Sequence, residues 1–375
     1  MMPPEKDVTR IGALAARDAA CAGLVERLLP LATAILRRGY LGGEFAFTLA
    51  PHPAGGLLPQ GSSLRYSIIA CLGLRCLPDP DQRDVLAGQD CDDLLGILAK
   101  RLDDLTGLGD VALLCWAAAL ARHHELPHAI DRLRAVDSGG TTDVVSAAWV
   151  VSALVAARGL MDVEEHLAAA RDRLLGARRD VFPHLVVGGS WYRAHVGSFA
   201  DQVYPVQALA RLHASADDPA ALAAAEHVAG AICAAQGADG QWWWHYDART
   251  GRVVERYPVY SVHQHAMAPM ALLDLADAGG DCHLGAISAG LRWLVAKPET
   301  PRSLVADQVP VIWRKVGRDD PRKLARGLAA LSTAVRPGSS VPGLDRVFPP
   351  GAIDYECRPY ELGWLLYAWL CGERP

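Results

Sequence analysis

The chain has 375 residues, 51% of them apolar, and a formal net charge of −5 with acidic and basic residues interspersed. That is ample for one large core, and it leaves no basic stripe of the kind that phosphate-backbone binding needs, so no nucleic-acid partner is expected. The opening MMPPEKDVTR lacks the basic-then-apolar order of a signal peptide, and the longest apolar run, around Val144–Ala157, stops at Arg158, so no membrane span is expected. The nine cysteines form no CxxC pair and sit in apolar segments, as Cys71 and Cys115 do. They read as reduced core residues of a cytoplasmic protein.

Apolar residues recur at three and four along the chain, and strand-like alternation is hard to find. Segment 12–38 is amphipathic and charged, 64–77 is apolar nearly all round, 90–105 again has one wet side, and 110–122 has none. The alternation continues through 126–136, 142–159, 163–178, 198–213, 219–236, 260–277, 283–297 and 359–372. A helix with no polar face must be buried, so the second class forms an inner layer and the first covers it. Six outer and six inner helices in alternation predict an all-α protein, an (α/α)6 ring of six hairpins in one domain over 1–375. The Pro- and Gly-rich stretch 298–358 is too apolar for disorder and is expected to fold over the ring.

Connections from outer to inner helices are the long ones, roughly 39–63, 179–197, 237–259 and 298–358. They share the end where inner helices begin, and long loops in a compact domain carry function. Pro205, Pro269 and Pro359 each precede an apolar run at helical spacing and mark helix starts or kinks. Polar and aromatic residues gather just around them: Asp201, Gln202 and Tyr204; Tyr257, Tyr260, His263 and His265; Tyr355, Glu356, Arg358, Tyr360 and Glu361. Arg65 and Tyr66 open an earlier inner helix in the same way. The loops DGQWWWHYDARTG (239–251) and GGSWYRAH (188–195) add Trp242, Trp244 and Trp191 as faces on which a flat ligand can stack.

Three motifs carry less than they spell. Asp90-Cys91-Asp92-Asp93 opens an outer helix, where aspartates serve as caps. His124-Glu125-Leu126-Pro127-His128 has the H-E-x-x-H spacing, but Pro127 interrupts the helix that a zinc site needs. His263-Gln264-His265 offers two ligands with Asp201 or His195 as a third, yet neighbouring histidines at a helix start are more often hydrogen-bonded surface or substrate contacts; no metal and no cofactor is expected.

Gln236-Gly237-Ala238-Asp239-Gly240-Gln241-Trp242 resembles the Q-x-x-x-G-x-W element of squalene cyclases and their relatives, where it ties an outer helix to the next hairpin. A Gly-x-Trp turn followed by tyrosines and a histidine is also similar to six-hairpin glycosidases and uronate epimerases or lyases. The resemblance implies an α/α toroid and, at its mouth, an enzyme acting on a saccharide, possibly uronate-containing. As a hydrolase, Asp201 with Glu356 or Glu361 supplies the carboxylate pair. As an epimerase or lyase, Tyr260 and His263 exchange a proton while Arg65 or Arg358 holds the substrate carboxylate. Two alternatives stay open, a terpenoid cyclase or prenyltransferase using Asp90–Asp93, and a non-catalytic glycan-binding toroid. The expected partner is a small molecule or oligosaccharide, and the oligomeric state is not read from the sequence.

Overall fold

The computed structural model describes residues 9–53, 55–140, 142–184, 191–296, 298–306, 309–320 and 322–371. Helices form two concentric rings. The outer ones are α1 (Ala19–Gly39), α3 (Cys91–Ala99), α5 (Leu126–Val136), α7 (Glu164–Ala177), α9 (Pro219–Ala234) and α11 (Leu284–Ala296). The inner ones are α2 (Leu64–Leu74), α4 (Leu108–Ala121), α6 (Val144–Ala157), α8 (Phe199–Ala216), α10 (Ala268–Asp277) and α12 (Pro359–Leu370). Each inner helix packs on the next, and α12 returns to α2 to close the circle. Inner helices such as α4 and α6 bury residues on every side because neighbours flank them and an outer helix covers them. Outer α7 buries only Leu167, Ala170 and Leu174, a stripe at spacings of three and four.

The closing seam is a backbone-to-backbone contact. A Cβ on Gly73 would lie 2.0 Å from the carbonyl oxygen of Gly363, and one on Gly363 would lie 2.5 Å from that of Ile69. Backbone therefore meets backbone where α2 and α12 cross, and only glycine fits.

Several details depart from the sequence expectation. The segment predicted as one helix over 12–38 is two, Arg10–Arg17 and α1, broken at Asp18, whose carboxylate accepts from the Cys21 amide. Helix α1 is 21 residues long and apolar enough to cross a membrane by length and composition; in the ring its Leu24, Leu28, Leu31 and Ile35 face the core. Pro359 does open its helix and Pro269 stands at the start of α10, but Pro205 lies inside α8. Asp201, Gln202 and Tyr204 thus belong to the first two turns of α8 and do not precede it. Short strands also occupy the mouth loops: Val196–Ser198 with His245–Asp247 and Val253–Glu255, and Val259–Tyr260 with Lys315–Arg318 and Pro350–Asp354. They are two to five residues long, too short for alternation to register. The last of these sheets and the helix Leu324–Val335, which packs on Val253–Glu255 and Trp191–Arg193, bring the 298–358 segment against the mouth.

Candidate active site

Because every inner helix enters the ring from the same end, the first turns of six separate segments face one another. On α2, Ser63 caps the helix and places Arg65 and Tyr66 in its first turn. Arg65 Nε donates to Asp110 Oδ1 of α4 at 2.6 Å, and its guanidinium lies 5.4 Å from the ring centre of Trp149. Asp143 caps α6 by accepting from the Ser146 amide at 2.8 Å. Its charge is felt by both Arg65 and His184. His184 Nδ1 lies 2.8 Å from Asp201 Oδ2, and this contact raises the imidazole's pKa above the ordinary range against the effect of burial. Asp201 also closes a capping box with Ser198, so α8 begins on the same carboxylate. Its Oδ1 is buried and has no hydrogen-bond partner. The result is a belt running Asp110, Arg65, Asp143, His184, Asp201.

A second cluster adjoins the first through Tyr66, the neighbour of Arg65 on α2. Arg358 Nη2 and Nε donate to Glu356 Oε2 at 2.9 and 3.1 Å, and Nη1 donates to the Tyr66 hydroxyl at 2.9 Å. Tyr66 stacks on Phe47 and tilts against Tyr360, with ring centres 5.3 and 4.5 Å away. Behind them Glu361 is only 1% exposed, and Arg314 Nε lies 3.5 Å from its Oε1 without making a hydrogen bond. Burial outweighs that imperfect pairing and pushes the Glu361 carboxyl up to about 7. The folded protein therefore holds a proton that the unfolded chain has lost between about pH 4.5 and 7, and stability falls as pH rises through that window by roughly 3 kcal/mol. Glu361→Gln is expected to flatten the slope between pH 5 and 8, read from urea midpoints of the two proteins. Identical slopes would contradict this account.

A cavity of about 330 Å³ is lined by Trp244, Tyr260, Arg314, Lys315, Arg318 and Arg326, among others, and Arg314 joins it to the second cluster through Glu361 and Glu356. Arg314 and Lys315 lie 5.1 and 5.6 Å from the ring centre of Tyr260, and Arg326 lies 5.2 Å from that of Trp244. Arg326 is half-buried, with Arg193 close by, and both effects lower its pKa. Among the described residues no carboxylate makes an ion pair with Arg326, although Asp320, which lines the same cavity, and Glu255 are close enough to oppose the lowering of its pKa. The pKa of His245 is pushed down to about 3 by burial, and the charges of Arg193, Arg326 and His184 act in the same direction.

The structure sorts the residues that the sequence singled out. Arg65, Tyr66, Arg358 and Tyr360 come together, as do Tyr260, Trp244 and the basic cavity. Tyr257 lines the same cavity from above a cis peptide with Pro258. Tyr204 packs against Trp149 and Trp364 just below. Gln202 instead turns inward and bonds the backbone of Phe182 in both directions. Trp242 is fully buried against Phe199, so it is a core residue and not a stacking face, while Trp191 is 81% exposed. His263 and His265 lie in a π-helical turn, His263–Met267, that leads into α10. Both are buried, which pushes each imidazole down to about 3. Neither ring nitrogen of His265 has a hydrogen-bond partner, and the side chain is fully buried. Asp201 and Glu356 are tied to different cations, His184 and Arg358, and are not brought together as a pair. Asp110, Asp143, His184, Arg314 and Arg326 were missed. Asp143 had a readable signal, a lone carboxylate at the start of the apolar segment 142–159, but helix caps look the same.

No family model matches the sequence, and no curated protein matches it. Solved structures do. An unsaturated glucuronyl hydrolase from Bacillus sp. GL1, responsible for the degradation of glycosaminoglycan, superposes with a TM-score of 0.59 at 16% identity, over 93% of this chain and 97% of that one. A Streptococcus agalactiae unsaturated glucuronyl hydrolase variant complexed with dGlcA-GalNAc6S gives 0.59 at 12% identity, over 93% and 91%. One specific for heparin gives 0.56 at 12%, over 92% and 96%. The chain is an α/α toroid. Within the toroid, Gln236 Nε2 donates to the carbonyls of Gly240 and of Ala286 on α11, both at 2.9 Å, so the single Q-x-x-x-G-x-W element does join an outer helix to the next hairpin. The other motifs lie at the toroid's far end. Asp90 and Asp93 form the capping box of α3, and Asp92 pairs with Arg75. Glu125 precedes α5, Pro127 stands in its first turn, and His128 pairs with Asp103.

Proposed function

We propose that the protein is a hydrolase that releases a uronate-bearing sugar from an oligosaccharide at the toroid mouth, with unsaturated uronyl groups as its first substrate class. One observation carries the reading. Carboxylates gripped by cations meet a separate basic, aromatic-walled cavity at a single mouth. Hydrolysis of a glycoside needs one carboxyl to protonate the departing oxygen and another to take a proton from water. Asp143 and Asp110, at the mouth ends of α6 and α4, are assigned as this pair of proton-transferring carboxyls. Arg326, half-buried in the cavity wall and without a direct ion pair among the described residues, is assigned to take the substrate carboxylate. Tyr66, Phe47 and Trp244 present ring faces to the sugar. The likeness to glucuronyl hydrolases supports this choice. Epimerase or lyase chemistry through Tyr260 and His263 is less well served, because both are buried and burial keeps the imidazole neutral and the phenol raised to about 12.

The test is turnover of unsaturated uronyl disaccharides, followed by loss of the ultraviolet absorbance of the ring double bond and by release of reducing sugar. Neutral disaccharides serve as controls. Arg326→Gln is expected to raise KM for the uronide by roughly 10–100-fold with little change in kcat, the range for losing a hydrogen bond to a charged group. Turnover of the neutral sugars alone would overturn the substrate assignment.

A further inference from the structure

The far end of the toroid holds a feature that the mouth does not use. There the C-terminal ends of α2, α4, α8, α10 and α12 surround a cavity of about 450 Å³, lined by Arg10, Cys76, Arg211, Asp274, Tyr367 and Cys371 among others. Cys76 lies two residues beyond the end of α2, and Cys371 caps the end of α12. Their sulfurs are 2.7 Å apart. That is closer than two unbonded sulfurs rest and longer than the S–S bond of about 2.05 Å, so bonding needs only a small adjustment. Both are thiols in this structure. The pair sits on the seam that closes the ring, beside the crossing where Gly73 and Gly363 meet. Cys71 and Cys91 are also neighbours, but they are sealed in the core, whereas Cys76 and Cys371 face a cavity that a small reagent can enter.

We propose that Cys76 and Cys371 form an oxidisable pair that reacts with a low-molecular-weight disulfide such as oxidised glutathione, and that the bond they form locks the seam between the first and last inner helices. Cys371 attacks first. Its thiol accepts a hydrogen bond from Cys76 and lies near Arg211 and Arg10, which together lower its pKa despite burial. The Cys371 thiolate displaces one thiolate from the reagent and forms a mixed disulfide. Cys76 then attacks the Cys371 sulfur and expels the second. Two protein thiols are oxidised to one disulfide, the reagent disulfide is reduced to two thiols, and the protein's two protons leave with them. The bond spans residues 76 to 371, so it removes freedom from the unfolded chain over most of its length.

The experiment equilibrates the intact protein with oxidised glutathione and maps the products by mass spectrometry after alkylation and digestion. A peptide joining Cys76 to Cys371 is expected, with two of the nine thiols lost. The unfolding midpoint is expected to rise by several degrees and to return on adding dithiothreitol. Cys76→Ser and Cys371→Ser should each abolish both effects. Glutathione retained on Cys371 with no cross-link, or a cross-link between other cysteines, would overturn the pairing; a cross-link that leaves the midpoint unmoved would overturn the lock. The mapping uses the unaltered chain and so does not depend on either variant folding. None of these readouts depends on the activity at the mouth.

Discussion

Replacing Asp143 by asparagine is expected to lower kcat/KM on an unsaturated uronyl disaccharide by about 10²–10⁴-fold, the usual contribution of a positioned proton-transferring group. Asparagine caps a helix about as well as aspartate, so the bond to the Ser146 amide survives and α6 should start where it does now. The loss should therefore fall on kcat and leave both KM and the circular dichroism spectrum little changed. Asp110→Asn is a harsher change, because it also turns the 2.6 Å ion pair with Arg65 into a bond to a neutral acceptor and should raise KM as well. Steady-state kinetics on the two variants separates the roles. Activity within about threefold of the parent for Asp143→Asn would move the proton transfer elsewhere in the mouth, with Asp201 and its unpartnered oxygen the next residue to test.

Gly363→Ala is expected to cost about 3–5 kcal/mol, or to prevent the ring from closing, for a reason that has nothing to do with chemistry. A methyl group there meets the backbone of Ile69 and Ala70 within 2.5–2.8 Å, and backbone cannot turn aside as a side chain can. The helices would have to part, taking Arg358 and Glu361 away from Tyr66 and Arg314. Gly176→Ala is the control. That glycine lies in α7 with nothing within 4 Å of the added carbon, so the change should be neutral or stabilise by up to about 1 kcal/mol. Chemical denaturation of both variants settles whether the seam or helix propensity decides. A Gly363→Ala protein as stable as the parent would mean the crossing is looser than drawn.

The twelve ring helices were legible because burial leaves a periodic imprint: α6 has no polar face, α7 has one, and the pattern repeats six times. Element boundaries within the mouth were not. The sheet joining Val259–Tyr260 to Lys315–Arg318 and Pro350–Asp354 pairs residues far apart in sequence, and pairing over such distances leaves no local signal. The site followed the same division. Arg65, Tyr66 and Arg358 were visible as polar residues at the starts of apolar helices. Arg314 and Arg326 were invisible, since nothing in the 298–358 segment says which of its arginines folds inward. The tryptophan cluster misled in part, because Trp242 serves the joint between hairpins, where Gly290 makes room for its indole.

The seam between α2 and α12 also sets the order in which the molecule can be made. As the polypeptide leaves the ribosome, five inner helices can stack one upon another as they appear, each contacting mainly its predecessor. The circle stays an open crescent until the segment around residue 370 emerges, with the flank of α2 waiting some 300 residues for its partner. Contacts of such sequence separation form late, and exposed apolar flanks invite association with other nascent chains. Arg358, Tyr360 and Glu361 arrive on that same last helix. Closure of the ring and completion of this side of the mouth are thus delivered together, so a prematurely terminated chain is open at the seam and lacks the Arg358–Tyr66 contact.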